Sequence, residues 1–273
     1  NKPDVVILAA AKVGGIYANN KYPADFILEN IKIQTNIIEN SWRNGVKRFL
    51  FLGSSCIYPK LAPQPLKEEY LLTGPLETTN EPYAIAKIAG IKLCSALKRQ
   101  YGFNAISIMP TNLYGPGDNY HEKDSHVMPA LIRRIYDAKE KNKTEIICWG
   151  TGHPKREFLF VDDLAEATIF ILENVSSTNE FTKNENTYSD ELINVGTGSD
   201  ISIKNLAKII ALQLDFKGEI KWDITKPDGT PRKLLDVSRI NKLGWVAKTN
   251  LEEGLKATIK CYEKELKNES LRF

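Results

Sequence analysis

The sequence predicts an α/β fold, a Rossmann-like doubly wound parallel sheet followed by a smaller C-terminal lobe. Two patterns lead to this prediction. Apolar runs alternate with helical segments through the first part of the chain, and the alternation loosens beyond Gly115. The chain has 273 residues, of which 42% are hydrophobic and 26% charged. This length and composition are enough for one large or two modest cores.

The first predicted strand is "DVVILAA", Asp4–Ala10. It is continuously apolar, as expected of a parallel strand that is buried on both faces. A helix is predicted from Pro23 to Gly45, because apolar residues recur at helical spacing between a proline start and a glycine stop. The run "KRFLFLGSS" is predicted to be the next buried strand. This order of strand, helix and strand is typical of a parallel sheet.

Later elements continue the pattern with longer interruptions. A helix is predicted from Tyr83 to about Tyr101, and another from about Ser125 to Lys141. Strands are predicted at "NAISIMPT", "TEIICWG" and "LINVG", and a helix capped by Asp162 at "VDDLAEATIFILEN". Residues 173–191 are polar without periodicity, which predicts a surface loop. The rest of the chain is predicted to form short helices and a turn at "PDGTPRK". The predicted lobes are 1–118 with 162–196, and 119–161 with 197–273.

Composition excludes several classes of protein. The net charge is only +3 and there is no basic run, so we predict no nucleic-acid partner. No apolar stretch approaches the ~20 residues of a membrane span, and we predict no membrane partner. The four cysteines form no C-x-x-C pair, which predicts free thiols in a reducing, cytoplasmic compartment, with Cys94, Cys148 and Cys261 in the core. We predict no metal site.

Two stretches carry the candidate chemistry. Tyr83 and Lys87 in "NEPYAIAKIAG" lie four residues apart on one helix face, where the ammonium is expected to lower the phenol's pKa. An accidental pair on a solvated face is the alternative. In "LGSSCIYP", Ser54 and Ser55 end a buried strand, at the sheet edge where ligands bind. Cys56 follows them as a reactive or simply a buried thiol.

The order of strand, serine and Tyr-x-x-x-Lys resembles that of the short-chain dehydrogenases/reductases. Matches extend from residue 9 to residue 239, and they resemble the GDP-L-fucose synthase family in particular. They include "FLGSSCIYPK", "NEPYAIAKIAGIKLC", "MPTNLYGP", "DSHVMPALIRR", "WGTGHPKREFLFVDD" and "KPDGTPRKLLDVSR". The related sugar 4,6-dehydratases usually carry an acidic pair beside the serine, and simple 4-epimerases lack the cysteine. The resemblance implies NADPH-dependent conversion of GDP-4-keto-6-deoxy-D-mannose to GDP-L-fucose, by 3,5-epimerisation and then 4-keto reduction.

The resemblance also implies a role for each matching residue. Tyr83 would protonate O4 with Lys87 tuning it, Ser54 or Ser55 would bind the carbonyl, and Cys56 and His126 would be the base and acid of epimerisation. The implied cofactor contacts are Leu52, Gly53, Ser54, Ser55, Tyr83, Lys87, Pro110, Thr111, Asn112, Leu113 and His126. The implied contacts with the GDP-sugar substrate are Arg134, Trp149, Arg156, Asp228 and Lys233.

Simpler interpretations of some of these residues stay open. Arg156 could pair with Asp162 or Asp163, and Asp228 and Lys233 could shape a turn. For the chain as a whole, the rivals are another nucleotide-sugar reductase or epimerase, and a catalytically silent chain that binds a nucleotide sugar or dimerises. The family resemblance implies a cofactor-binding first lobe, a nucleotide-sugar-binding second lobe, and a homodimer formed through the helices that begin at Pro23 and Tyr83.

One expected motif is missing. A dinucleotide fold normally opens with a glycine-rich loop at a helix N-terminus, which holds the pyrophosphate. The segment "KVGGI", Lys12–Ile16, has only two glycines and does not lead directly into a long helix. Either the protein is no dinucleotide enzyme, or the sequence lacks its beginning. In the second case we expect an exposed edge at Asp4–Ala10, poor NADPH binding, and insolubility unless another segment pairs with that edge.

Overall fold

The computed structural model describes residues 2–122, 124–175, 192–226 and 228–272. The helices are α1 (Ile16–Lys21), α2 (Pro23–Arg43), α3 (Glu81–Tyr101), α4 (Val127–Glu140), α5 (Val161–Asn174), α6 (Ile203–Gln213), α7 (Ser238–Leu243) and α8 (Leu251–Lys267). The strands are β1 (Val5–Leu8), β2 (Arg48–Leu52), β3 (Ala105–Pro110), β4 (Asn112–Tyr114), β5 (Glu145–Trp149), β6 (Lys155–Phe160), β7 (Leu192–Val195), β8 (Asp200–Ser202), β9 (Glu219–Asp223) and β10 (Arg232–Lys233). None of the helices described is both long and apolar enough to cross a membrane.

The main sheet has the strand order β1-β2-β3-β7, with every neighbouring pair parallel. Its two faces are covered by different apolar clusters. One cluster includes Ile38 of α2 and Ile91 of α3, and the other includes Leu164 and Ile171 of α5. A parallel sheet with helices on both faces is the predicted fold class, which is confirmed.

Strand β1 differs from the prediction. It pairs with β2 in parallel, as expected, but Val5 and Ile7 are 49% and 43% exposed. Burial on both faces, predicted for Asp4–Ala10, is therefore wrong. The reason is position: β1 lies at the end of the strand order, and the side chains of Val5 and Ile7 alternate onto a face that remains open to water.

Helices α2 and α3 pack against each other and closely follow their predicted bounds. Each has a proline in its first turn, and α3 ends at Gly102, whose φ of 70° is left-handed. In the middle of α3, a Cβ on Gly90 would lie 2.6 Å from the Phe51 ring. The glycine therefore lets α3 approach β2 closely, which brings the first turns of α3 to the carboxyl end of β2.

The second lobe is built around small sheets. Strands β10, β6 and β4 run in parallel, β8 joins β6 antiparallel, and β5 pairs with β9. A separate apolar cluster lies beneath them and includes Ile132 of α4, Ile210 of α6 and Leu255 of α8. The sequence patterns predicted β5 but missed the other strands of this lobe, β6 and β9 included. For the strands of two or three residues the reason is length, because they carry no measurable alternation.

Other local predictions fared differently. Helix α5 begins at Val161 with Phe160 as its N-cap, so the cap predicted at Asp162 is wrong, and Asp162 lies in the first turn. Helix α8 has 17 residues and is longer than the short helices predicted there. Cys94 and Cys148 are buried as expected, whereas Cys261 is half-buried. Of the predicted loop 173–191, residues 176–191 lie outside the described residues.

The main-sheet core crosses the predicted lobe boundaries. Ile240 of α7 and Trp245, from the predicted second lobe, pack in the cluster on the α5 face of the main sheet. Strand β4, from the predicted first lobe, pairs with β6. The division at 118, 161 and 196 stays a prediction.

Candidate active site

The carboxyl ends of β2 and β3 form the sheet edge at which the site is built. Gly53 follows β2 and donates its amide to the Ile108 carbonyl at 2.8 Å, which keeps the chain against β3. The chain then turns into a single 3₁₀ turn, Ser55–Ile57. Ser54 caps this turn, and its hydroxyl accepts from the Cys56 amide at 3.4 Å. Ser55 and Cys56 are buried within it.

Lys87 connects α3 to this edge. Its ammonium donates to the Leu52 carbonyl at 2.8 Å and lies 4.9 Å from the Phe51 ring centre and 5.9 Å from the Tyr83 ring centre. The lysine is buried, with 3% of its surface exposed. The structure thus brings the serine segment and the Tyr-x-x-x-Lys segment to one place, and Tyr83 and Lys87 are not an accidental pair on a solvated face.

Burial controls the protonation of both groups. It raises the pKa of Tyr83, and the nearby Cys56 adds to the rise, whereas a hydrogen bond with Ser54 opposes it. The expectation that Lys87 would lower the pKa of Tyr83 is wrong here, because desolvation of the phenolate outweighs any attraction. Burial also lowers the pKa of Lys87 to about 8, with Cys56 opposing. Tyr83 is a neutral phenol at pH 7.

Ser54 is the serine that interacts with both reactive groups. It hydrogen-bonds with Tyr83 and with Cys56, and in each case it opposes the rise in pKa caused by burial. Ser55 instead lines a narrow cavity behind the 3₁₀ turn. The structure thereby separates two neighbouring serines that the sequence could not distinguish.

Two lysines influence the Cys56 thiol. Burial raises the pKa of its thiol, whereas the positive charges of Lys233 and Lys87 and the hydrogen bond with Ser54 lower it. Lys233, on β10, lines the same narrow cavity as Cys56 and Ser55. The structure therefore places Lys233 beside the thiol, although the resemblance grouped it with the nucleotide contacts. The two cations favour the thiolate, but the effect of burial on the pKa is larger.

His126 is the N-cap residue of α4. Burial of its imidazole lowers its pKa. Among the described residues no hydrogen bond joins it to Cys56. Its loop is fixed by the "KVGGI" segment: Gly15 donates to the Asp124 carbonyl at 3.0 Å, and a Cβ on Gly15 would lie 2.9 Å from the Ser125 carbonyl. The other side of this segment reaches Phe26, whose ring packs edge-on to Tyr83 at 6.3 Å.

Sequence reasoning missed Ser125. Its hydroxyl is buried and has no hydrogen-bond partner in the described part of the protein. Such an atom, next to His126, is available for a polar ligand. A serine in a loop gives no periodic signal, so only the fold could identify it.

The segment Pro110–Leu113 passes from β3 into β4. The Thr111 amide donates to Val195 at 3.0 Å. The Thr111 hydroxyl and the Asn112 side-chain Nδ2 both donate to the backbone carbonyl of Glu157, at 3.2 and 2.8 Å. Glu157 is fully buried and was also missed, although an acidic residue inside the apolar strand "REFLF" is a recognisable signal.

The remaining predicted residues form a more exposed rim, on the second lobe. Trp149 ends β5, is 67% exposed and has the ammonium of Lys226 5.9 Å from its ring centre. Arg134, exposed on α4, donates to the Ile147 carbonyl at 3.1 Å. Asp228 accepts from the amide and hydroxyl of Thr151, at 2.9 and 2.6 Å. Asp228 therefore does shape the turn after Trp149.

Arg156 has no ion pair with Asp162 or Asp163 among the described contacts. It donates to the carbonyls of Lys155 and Thr230, at 2.7 and 2.6 Å. Burial lowers its pKa, with Asp228 opposing. Asp163 instead accepts from Lys248 and Thr249. Carbonyl groups therefore anchor the guanidinium, and among its described contacts Asp228 attracts the charge without a hydrogen bond.

Comparison with known proteins gives consistent similarities. A family model described as "NAD dependent epimerase/dehydratase family" matches residues 1–196. A putative GDP-L-fucose synthase 2 of Arabidopsis thaliana is 56% identical over 261 residues, covering 96% of this chain and 76% of the relative. The GDP-L-fucose synthase of Escherichia coli K12 is 55% identical over 259 residues, covering 95% of this chain and 80% of the relative.

A solved structure is also similar. MlghC, a GDP-mannoheptose C4 reductase from Campylobacter jejuni with NADP bound, has a TM-score of 0.85 and 38% identity. The match covers 96% of this chain and 82% of that one. Fold and sequence therefore agree in relating the chain to enzymes that act on nucleotide sugars.

Proposed function

The chain belongs to the NAD dependent epimerase/dehydratase family, and from this premise we propose that it makes GDP-L-fucose. It takes GDP-4-keto-6-deoxy-D-mannose, inverts C3 and C5, and reduces the 4-ketone with NADPH. The identity of 55–56% to GDP-L-fucose synthases supports this assignment. The observation that carries it is a thiol, Cys56, in one buried site with a Tyr-x-x-x-Lys pair, because the reaction needs both a base at carbon and an acid at O4.

The residues at the sheet edge fit the nicotinamide end of NADPH, which supplies hydride to C4 when bound. The buried Ser125 hydroxyl beside His126 has no partner within the described residues, which leaves it available to a polar ligand. Lys87 lies at this sheet edge, where its ammonium donates a hydrogen bond to the Leu52 carbonyl. The segment Pro110–Leu113 at the end of β3, together with Leu52–Ser55 at the end of β2, would hold the ring between them.

In the reduction, Tyr83 is the proton donor. Its raised pKa keeps it protonated at neutral pH, so it can give a proton to O4 as negative charge develops there. Ser54, already hydrogen-bonded with Tyr83, binds the same carbonyl oxygen. The ammonium of Lys87 stabilises the phenolate left behind, since an opposite charge close by favours the charged form.

In the epimerisation, Cys56 removes the proton from C3 and from C5. The 4-ketone acidifies both C–H bonds, so one base can serve both centres. Lys233 and Lys87 favour the thiolate that this step requires. His126 returns a proton to the opposite face of the sugar. Burial lowers the pKa of His126, so the imidazolium is a minor species at neutral pH but a stronger acid when it forms.

The GDP end of the substrate is held by the rim of the second lobe. Arg156, with its carbonyl anchors, and the exposed Arg134 offer guanidinium groups to the diphosphate. The exposed ring of Trp149 stacks on the base. Asp228 fixes the turn that follows Trp149 and is available to the sugar nucleotide. These assignments divide the protein into a lobe for the cofactor and a lobe for the nucleotide sugar.

The assembly that we propose is a homodimer in the cytoplasm. Leu28 and Ile31 of α2 and Ile85 of α3 are exposed apolar residues on the packed helix pair, which is suited to a four-helix contact with a second copy. The four cysteines are free, which suits a reducing compartment.

The test is turnover of GDP-4-keto-6-deoxy-D-mannose with NADPH, with the product identified by NMR as GDP-L-fucose. A product reduced at C4 but not inverted at C3 and C5 would make the chain a different nucleotide-sugar reductase. Binding of GDP-sugar without any turnover would make it a silent binding chain.

A further inference from the structure

Glu157 on β6 is a completely buried carboxylate, with 0% of its surface exposed. One carboxylate oxygen accepts from the amides of Thr197 and Gly198, both at 2.7 Å. The other accepts from the amide of Leu235 at 2.9 Å. Burial raises its pKa and these amides oppose the rise. A buried carboxylate is costly, and here three backbone amides stabilise it, together with the Thr197 hydroxyl, which donates to the first oxygen at 3.4 Å.

The same residue holds a third segment through its main chain. Its carbonyl accepts from the Thr111 hydroxyl and the Asn112 side chain. Glu157 therefore connects the end of β3, the segment after β7 and the segment after β10. Space around the carboxylate is minimal: a Cβ on Gly196 would lie 2.3 Å from its nearer oxygen.

The connection to β10 matters for the site. Leu235, which Glu157 holds, follows Lys233 by two residues, and Lys233 pairs in register with Arg156, the residue directly before Glu157. Lys233 and Cys56 line one narrow cavity. Lys233 also makes the largest favourable contribution to lowering the pKa of that thiol. The position of β10 therefore controls how closely an ammonium approaches the thiol.

We propose that Glu157 is a positioning residue that holds the Lys233 ammonium beside the Cys56 sulfur, by fixing the end of β10 against β6 and the main sheet. This inference rests on the proposed function only for its catalytic meaning. The coupling of Glu157 to the thiol is a property of the protein without substrate.

The main test is the rate of alkylation of Cys56 by iodoacetamide as a function of pH, resolved by peptide mass spectrometry. Only the thiolate reacts, so the midpoint reports the pKa of the thiol. In Glu157→Gln, one accepting oxygen becomes an N–H donor that faces backbone amides, so the Leu235 amide at the end of β10 loses its hydrogen bond to this side chain. Weaker attraction from Lys233 should move the midpoint to higher pH. The rate at pH 8 should fall by about three- to tenfold, since a tenfold loss corresponds to roughly one pKa unit.

A matched control is Asp163→Asn. Asp163 is also a buried carboxylate, on α5, that accepts from two backbone amides and a hydroxyl, of Lys248 and Thr249. Its substitution should cost stability in the same way but leave the alkylation profile of Cys56 unchanged. An equal shift in both variants, or no shift in Glu157→Gln, would overturn the proposal.

Glu157→Asp is a second variant, because it keeps the charge and the acceptors but is one methylene too short to reach both sets of amides. A smaller alkaline shift is expected from it, and a wild-type profile would contradict the proposal even if Glu157→Gln fails to fold. With substrate present, the Glu157 variants should exchange deuterium into C3 and C5 with a lower kcat, while KM for the GDP-sugar changes by less than about threefold. If the proposed function is wrong, the wild-type protein will not turn over the GDP-sugar, but the alkylation midpoint of Cys56 will still shift in the Glu157 variants.

Discussion

The buried edge of the main sheet and the exposed rim of the second lobe contain the two halves of the candidate site, and they differ in dielectric surroundings. At the edge, burial shifts the pKa of Cys56, Tyr83 and Lys87. At the rim, Trp149 is 67% exposed and Arg134 is exposed, whereas Arg156 is half-buried and burial lowers its pKa. Groups with shifted pKa values suit proton transfer, whereas exposed groups suit the capture of a soluble ligand. Substitutions at the edge should therefore reduce kcat, and those at the rim should mainly raise KM.

Tyr83→Phe tests the edge most strongly. Reduction should fall by about 10²- to 10⁴-fold, the scale expected for loss of a general acid. Because Cys56 remains, exchange of solvent deuterium into C3 and C5 should continue. NADPH oxidation and NMR of the sugar ring measure the two steps separately. Loss of both steps in a folded variant would mean that the edge acts as one unit.

Cys56→Ser should have the opposite effect. Deuterium exchange at C3 and C5 should fall by about 10²- to 10⁴-fold, because a hydroxyl is a far weaker base than a thiolate. Reduction of an already epimerised keto sugar should persist. The control is Cys261→Ser, which replaces a half-buried thiol on α8 and should leave both steps unchanged. Retained exchange in Cys56→Ser would assign the base to another residue.

Arg156→Ala tests the rim. Loss of a charge-assisted contact of about 1.5–3 kcal/mol should raise KM for the GDP-sugar by about 10- to 150-fold, with a small change in kcat. Arg43→Ala removes an exposed arginine that pairs with Glu39 on α2, and should not change KM. An unchanged KM in Arg156→Ala would place this guanidinium outside the substrate site and leave it a purely structural role on its carbonyl partners.

The pH dependence gives a milder test of the edge. The lowered pKa of Lys87, about 8, means that its ammonium is present below that pH and is lost above it. If the charge is needed, kcat/KM for reduction should fall about tenfold per pH unit above pH ~8. Lys87→Arg stays charged, so its profile should lack this alkaline decline even at a lower overall rate. A wild-type profile flat to pH 10 would contradict a role for the ammonium.

Trp149→Ala should have the smallest effect. Loss of stacking worth about 0.5–1.5 kcal/mol should raise KM about two- to tenfold, with little change in the free energy of unfolding because the ring is exposed. Trp245→Ala gives the contrast: that ring is buried in the main-sheet core, so its loss should cost roughly 3–5 kcal/mol of stability. A large stability loss in Trp149→Ala would count against an exposed binding role.

The sequence predicts the α/β class, helices α2 to α5 and the family, because periodic apolar spacing and contiguous motifs are local properties of the chain. It does not predict the full length of the 17-residue α8. The helices at Pro23 and Tyr83 and the strand ending at Leu52 lie close to where their patterns predict. Short strands such as β8 and β10 carry no such pattern, and pairing with β6 creates them.

The electrostatics of the site depend on the three-dimensional packing of the chain. The spacing of Tyr83 and Lys87, four residues apart, predicts an attraction that lowers the pKa of the phenol. Burial raises that pKa instead, because desolvation depends on every atom packed around the group. Ser54 and Ser55 are adjacent residues of the same type, and only the 3₁₀ turn gives them different surroundings. The approach of Lys233 to Cys56, residues far apart along the chain, exists because β10 is held against β6. Such contacts between distant segments leave no local pattern in the sequence.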